Sequence, residues 1–218
     1  MKTEKRRGWA DKVWHFLWEE DSFLSWLANV VLAFLLIKFI VYPGLGFALS
    51  TRYPVVAVVS SSMEHNSGFQ EYWLNGGQYY ENINISREEF SGYDFSNGFN
   101  KGDIIVVRGK DPEDLSEGDV IIFWSHALYP KSDPIIHRVV EVWNPSADSQ
   151  GYHYRTKGDN WRINKDSLKT PDSCRNGCID ETFISQERVL GTAFFRIPYL
   201  GYIKIGFIEL LRAAGIVK

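Results

Sequence analysis

Cysteine is nearly absent from this chain: Cys174 and Cys178 are the only two in 218 residues. Two thiolates do not close a tetrahedral zinc site, and no histidine lies close enough in sequence to complete one. No His-Glu-x-x-His run or comparable ligand cluster occurs, so neither a metal nor another cofactor is expected. An excess of either charge is also missing. The formal net charge is -3, which removes the electrostatic reason to expect a nucleic-acid partner. Long apolar runs are scarce as well, and the longest is residues 26–47, with Lys38 as its single charge.

That one run is long enough to cross a bilayer as a helix, since about 20 apolar residues span the hydrocarbon core. Lys38 lies toward its far end and can snorkel to an interface, and Tyr42-Pro43-Gly44 marks that end. A cleaved signal peptide has a shorter apolar core, so a retained anchor is the better reading. The only basic cluster, Lys2, Lys5, Arg6, Arg7 and Lys12, precedes the run, and Lys and Arg are sparse just after it. The positive-inside rule then assigns residues 1–22 to the cytoplasm, 23–49 to the anchor and 50–218 to the exported side, with the lipid bilayer as a partner. Eight Trp, eleven Tyr and fourteen Phe supply a core and suit the headgroup level. On the exported side a local Cys174–Cys178 disulfide fits, with two free thiols as the alternative.

Beyond the anchor the pattern is that of strands. Tyr53-Pro54-Val55-Val56-Ala57-Val58-Val59 is a β-branched run ending at three serines. Gly102-Asp103-Ile104-Ile105-Val106-Val107 and Gly118-Asp119-Val120-Ile121-Ile122-Phe123 are near copies of one turn-then-strand unit. Residues 135–142 and 152–157 add two more strands, and no convincing helix separates them, which argues for a mostly β domain. Two insertions interrupt it, at about 64–100 and 160–182. The first carries a short helix near Ser86 to Phe90, where Ser-Arg-Glu-Glu resembles a capping box. Residues 197–217 are apolar but hold Lys204, Glu209 and Arg212. A strand followed by a short interfacial helix is expected there, a second span being the alternative.

Ser60-Ser61-Ser62-Met63-Glu64 follows the first strand and opens a loop. A serine hydroxyl is a weak nucleophile until a neighbouring base takes its proton. By itself such a strand end is a turn. His137 supplies the missing base: alternation puts Ile135, His137 and Val139 on one face of their strand, where an imidazole beside apolar groups can serve as general base. Its bland reading is a core histidine bonded to backbone. His65 sits in the serine's own loop, His15 is cytoplasmic, and His126 and His153 stand in polar settings that look exposed.

In order along the chain, Ser-x-Ser-Met-Glu, Gly-Asp-Ile-Ile-Val, Gly-Asp-Val-Ile-Ile-Phe, Ile-His-Arg-Val, Thr-Lys-Gly-Asp-Asn and the closing Phe-Arg-Ile-Pro-Tyr-Leu-Gly resemble type I signal peptidases, over roughly residues 25–210. Histidine in the His-Arg-Val block resembles the archaeal and endoplasmic-reticulum branch, where bacterial members carry lysine. The resemblance implies a coiled, partly barrel-like antiparallel fold. It implies a serine endopeptidase that removes signal peptides from exported preproteins, with Ser62 as nucleophile and His137 as base. Ser60 and the Ser62 backbone N–H would hold the oxyanion. Asp159, in Lys-Gly-Asp-Asn, would shape the site or support His137. For the triad acid the usual position falls on Lys165, which leaves Asp180 as the preferred residue and Asp166 as the alternative. Val56, Val58, Ile135 and Ile136 would flank an extended substrate by strand pairing. The protein-export channel is a further expected partner. The archaeal plasma membrane is the expected location, with the endoplasmic-reticulum membrane as the alternative. The rival reading is a noncatalytic tethered module that binds exported peptides through the same strand edges.

Overall fold

The computed structural model describes residues 8–124, 134–143, 151–163 and 181–215. It divides into two compact units, Met1–Ala48 and Leu49–Lys218.

The first unit is helical: α1 (Trp9–Trp18), α2 (Phe23–Leu36), a π-helical stretch (Ile37–Val41) and α3 (Tyr42–Ala48). Ser22 starts α2 by accepting the Ser25 N–H on its hydroxyl, which satisfies one of the orphan donors of the first turn. From Phe23 to Ala48 the helix runs unbroken for 26 residues, about 39 Å at the usual rise. Among the described residues it is the one helix long and apolar enough to cross a membrane. The π register falls just ahead of Pro43, whose missing N–H and bulky ring disturb the α-helical ladder behind it.

The second unit is a curled, antiparallel seven-stranded sheet, a half-barrel, in the order β1-β2-β7-β3-β4-β5-β6. Its strands are β1 (Val55–Ala57), β2 (Ile104–Arg108), β3 (Val120–Phe123), β4 (Ile135–Trp143), β5 (His153–Lys157), β6 (Ile184–Ser185) and β7 (Val189–Ile197). The two Gly-Asp units enter β2 and β3 by the same device. Gly102 and Gly118 both have φ near +90°, where a side chain is strained. Asp103 and Asp119 each accept the backbone N–H three residues earlier, from Asn100 and Ser116, at 2.9 Å. The mostly β fold expected from the strand pattern and from the resemblance is the one observed.

β3 is buried on both faces, which is what curling requires. Val120 and Ile122 join Val58, Met63, Phe99 and Ile136 in one core, while Ile121 and Phe123 join Ile135, Val139 and Tyr154 in a second. Each such side chain contributes about 1.5–3 kcal/mol by leaving water. A third core is largely aromatic: Tyr72, Trp73, Tyr80, Ile85, Phe90 and Val140. It forms beneath two helices of the first insertion, α4 (Phe69–Glu81) and α5 (Arg87–Gly92). Ser86 caps α5 through the Glu89 N–H, as its sequence predicts. α4 has no such signature. Gly76 and Gly77 weaken it intrinsically, but they let Trp161 and Trp73 pack where a Cβ would stand 3.0 and 2.6 Å from their atoms. After β7, residues Tyr202–Ala213 form α6; the strand expected within 197–217 ends at Ile197 instead, and the helix that follows is not a second span. At about 18 Å it is too short to cross a bilayer.

Candidate active site

The serine loop leaves β1 and is tied down from two sides. Phe99 N–H donates to the Met63 carbonyl (3.0 Å), and Met63 itself is buried in the first core. Gly98 makes that approach possible: its φ is +69° and a Cβ there would stand 2.1 Å from the Met63 carbonyl oxygen. From the other side, Asn160 N–H donates to the Ser62 carbonyl and Asn160 Nδ2 donates to the Ser61 carbonyl, both at 2.8 Å. The Asp159 N–H reaches Met63 Sδ at 3.4 Å. Within the loop the Ser60 and Ser62 hydroxyls are 3.1 Å apart.

His137 sits in β4 opposite Ile121 of β3. It is 1% exposed, with Phe123 edge-on to its ring. Its Nδ1 is hydrogen-bonded to Glu181 Oε1. The same carboxylate oxygen accepts the Thr156 hydroxyl at 3.2 Å, and the Thr156 N–H donates to the Glu181 carbonyl at 3.0 Å. Glu181 is thereby held against β5 from both its side chain and its backbone.

Ser62 and His137 line one cavity of about 330 Å³, together with Ala57, Val58, Val59, Ser60, Met63, Pro134, Ile135, Ile136 and Ile163. Four of the sequence-derived residues (Ser60, Val58, Ile135 and Ile136) therefore share the cavity with Ser62 and His137. Val56 is half-buried and packs against the core that contains Val58. The walls are largely apolar, and the polar groups are the two hydroxyls and the imidazole.

Asp159 lies among different partners. It is fully buried and accepts Arg138 Nη2 at 2.7 Å, Arg138 Nε at 3.1 and 3.3 Å, the Tyr80 hydroxyl at 2.8 Å and His65 Nε2 at 3.2 Å. Burial alone pushes its carboxyl up, but the Arg138 guanidinium, aided by His65, outweighs burial and holds the group below the usual carboxylate range. Arg138 donates further to the Asp94, Phe95 and Gly118 carbonyls and faces the Phe90 ring at 4.7 Å. His65 stacks on Tyr72 with ring centroids 3.5 Å apart. His153, which looks exposed from its polar neighbours, is buried and stacked on Phe183.

Asp166, Asp180, Cys174 and Cys178 lie outside the described residues. Glu181, Thr156 and Asn160 are contacts that sequence reasoning does not single out. Glu181 directly follows Asp180, the carboxylate to which the resemblance points. Among the described residues no group of three or more His, Cys, Asp and Glu could hold a metal ion.

Fold and site define a class: a mostly β half-barrel, following in sequence a helix able to cross a membrane, whose cavity is lined by a serine from the loop after β1 and by a buried histidine held by a carboxylate. No family model matches the chain. The chain is similar to two curated proteins. The signal peptidase complex catalytic subunit SEC11 of Colletotrichum graminicola is 22% identical over 182 residues, 82% of this chain and 79% of the relative. The signal peptidase complex catalytic subunit sec11 of Schizosaccharomyces pombe is 29% identical over 187 residues, 84% of each. The resemblance to type I signal peptidases that the motifs carry is thus matched by similarity, over more than four-fifths of the chain, to proteins named as signal peptidase catalytic subunits.

Proposed function

We propose that this chain is a membrane-anchored serine endopeptidase of the type I signal peptidase kind, which removes signal peptides from exported preproteins. The observation that carries the reading is the shared cavity: Ser62 and His137 line it, and the far nitrogen of His137 is engaged by Glu181. A carboxylate on Nδ1 selects the tautomer with its proton there, which leaves the Nε2 lone pair as the base. In the cleavage step His137 takes the Ser62 proton as Oγ attacks the scissile carbonyl, then passes it to the leaving amine. Water, activated by the same ring, releases the acyl group from Ser62. Glu181 orients the imidazole and stabilises its charged form. The Ser60 hydroxyl, already 3.1 Å from Ser62 Oγ, is adjacent to the point where the oxyanion develops and supports a role beside the Ser62 N–H.

The helix Phe23–Ala48 is the anchor in this reading, with the N-terminus cytoplasmic and the half-barrel on the exported side. That orientation is the same in an archaeal plasma membrane and in the endoplasmic reticulum, and the fungal origin of the two relatives gives the second compartment weight. Their names place them in a complex, so partner subunits join the bilayer, the preprotein and the export channel among the expected contacts. The edge of β1 and the start of β4, at Val56, Val58, Ile135 and Ile136, would receive the extended substrate.

Ser62→Ala and His137→Ala are each expected to abolish cleavage of a preprotein in detergent or liposomes, while Ser61→Ala has a mild effect. Normal processing by purified Ser62→Ala protein defeats the assignment and favours a binding role.

A further inference from the structure

α1 takes no part in the cleavage chemistry, and its ten residues sort into two faces. Trp9, Val13 and Leu17 recur one helical turn apart, with Trp14 beside them; Lys12 and His15 occupy the other side, and Trp18 and Asp11 meet at the border between the two. Trp9, Trp14 and Trp18 are 82%, 62% and 65% exposed, and the last two touch at 5.8 Å between ring centroids. The end of the helix is nevertheless fastened. Ser25 Oγ donates to the Phe16 carbonyl at 2.6 Å and Asn29 Nδ2 donates to the Leu17 carbonyl at 2.7 Å.

Ser25 and Asn29 are one turn apart on α2, and are the only polar residues in its sequence. Their bonds fill carbonyls that a helix C-terminus leaves unsatisfied. They also provide partners for two polar groups that would otherwise be costly at the edge of a hydrocarbon layer. α1 is therefore held against the root of α2 by directed bonds, while its indole-rich face is left uncovered. Indoles favour the headgroup level, and a helix with one apolar and one charged face lies in the interface plane. In sequence, Lys2, Lys5, Arg6 and Arg7 stand just ahead of it, a charge that anionic headgroups attract.

We propose that α1 lies in the membrane–water interface of the leaflet from which α2 departs, with Trp9, Val13 and Trp14 seated at the acyl boundary and Lys12 and His15 facing water. The occupant of the exposed face is lipid. The proposal rests on α2 being a membrane anchor, and its test separates the two.

The full chain, in a Cys174→Ser, Cys178→Ser background, is spin-labelled at Trp9→Cys, Trp14→Cys, Lys12→Cys, His15→Cys or Val31→Cys. Each form is placed in vesicles of phosphatidylcholine with a minority of phosphatidylglycerol. Collision rates with oxygen, which concentrates in lipid, and with a water-soluble nickel chelate are compared. Labels at 9 and 14 are expected to be rich in oxygen and poor in nickel contact, labels at 12 and 15 the reverse, and the label at 31 oxygen-rich. Nickel access at 9 and 14 equal to that at 12 and 15, with 31 still in lipid, overturns the proposal and leaves the anchor standing. Shielding of 9 and 14 from both agents overturns it in favour of a protein partner or a second copy. Nickel access at 31 removes the anchor and the proposal together.

Discussion

At the scale of single residues, two carboxylates near the cavity have separate tasks. Glu181 meets the imidazole, whereas Asp159 meets the guanidinium of the next residue along β4. Glu181→Gln is expected to lower kcat by about 10³–10⁴-fold by favouring the wrong imidazole tautomer, with Asp180→Asn close to normal. The reverse ranking in a preprotein cleavage assay would return the acid to Asp180. Asp159→Asn leaves buried Arg138 without its counter-charge and is expected to cost about 3–5 kcal/mol of stability at neutral pH. Because the folded carboxyl lies below its ordinary range, its contribution is fully present above the unfolded value of about 3.9 and fades as pH falls through the lower folded value. Urea unfolding of both proteins should therefore show a gap at neutral pH that narrows in strong acid. An equal midpoint at neutral pH would contradict this role. Ser62 and His137 are legible in the sequence because one follows a β-branched run and the other interrupts one, each with a residue type that the pattern does not require. Glu181 is not, since which of two adjacent carboxylates reaches across to β4 depends on how the chain enters β6, and local pattern carries no trace of that.

At the scale of elements, the strands are readable where turn chemistry punctuates them. The duplicated Gly-Asp units set β2 and β3 to within a residue or two, and the Ser-Arg-Glu-Glu cap marks α5. α4 escapes because its glycines lower its intrinsic propensity, and its reason for being helical is an aromatic core assembled from distant parts of the chain. β7 escapes because small residues and a bulge against β2 blur its alternation. The connection between the end of β5 and the serine loop is also invisible locally, yet Asn160 fastens two successive carbonyls there. Asn160→Ala is expected to lower kcat by about 10–100-fold, since small displacements of a reacting atom are that damaging, with little change in KM. A loss confined to KM would show that Asn160 serves substrate binding instead.

At the scale of the whole molecule, the half-barrel has three cores of its own and should fold without the helical unit. Residues 49–218 expressed alone are expected to unfold in one cooperative transition and to cleave a short soluble peptide in detergent about as fast as the full chain does. They should fall behind the full chain on a preprotein embedded in liposomes, because tethering raises the effective concentration of enzyme at its substrate. Equal rates on both substrates would show that the apolar helix contributes nothing to catalysis at a membrane. The sequence shows this division clearly, because a long apolar run with a single charge stands apart from everything around it.

His137 and Arg138 are neighbours on a strand, so they face opposite sides, one toward the serine's cavity and one into a nest of carbonyls closed by Asp159. A one-residue slip of β4 would turn each to the opposite side. In one direction the cavity would receive a cation with five donors and no lone pair; in the other, an imidazole would be left among groups arranged to neutralise a permanent charge. A misthreaded chain would be both poorly folded and chemically inert, so the fit of a silent arginine guarantees that its neighbour arrives on the right side.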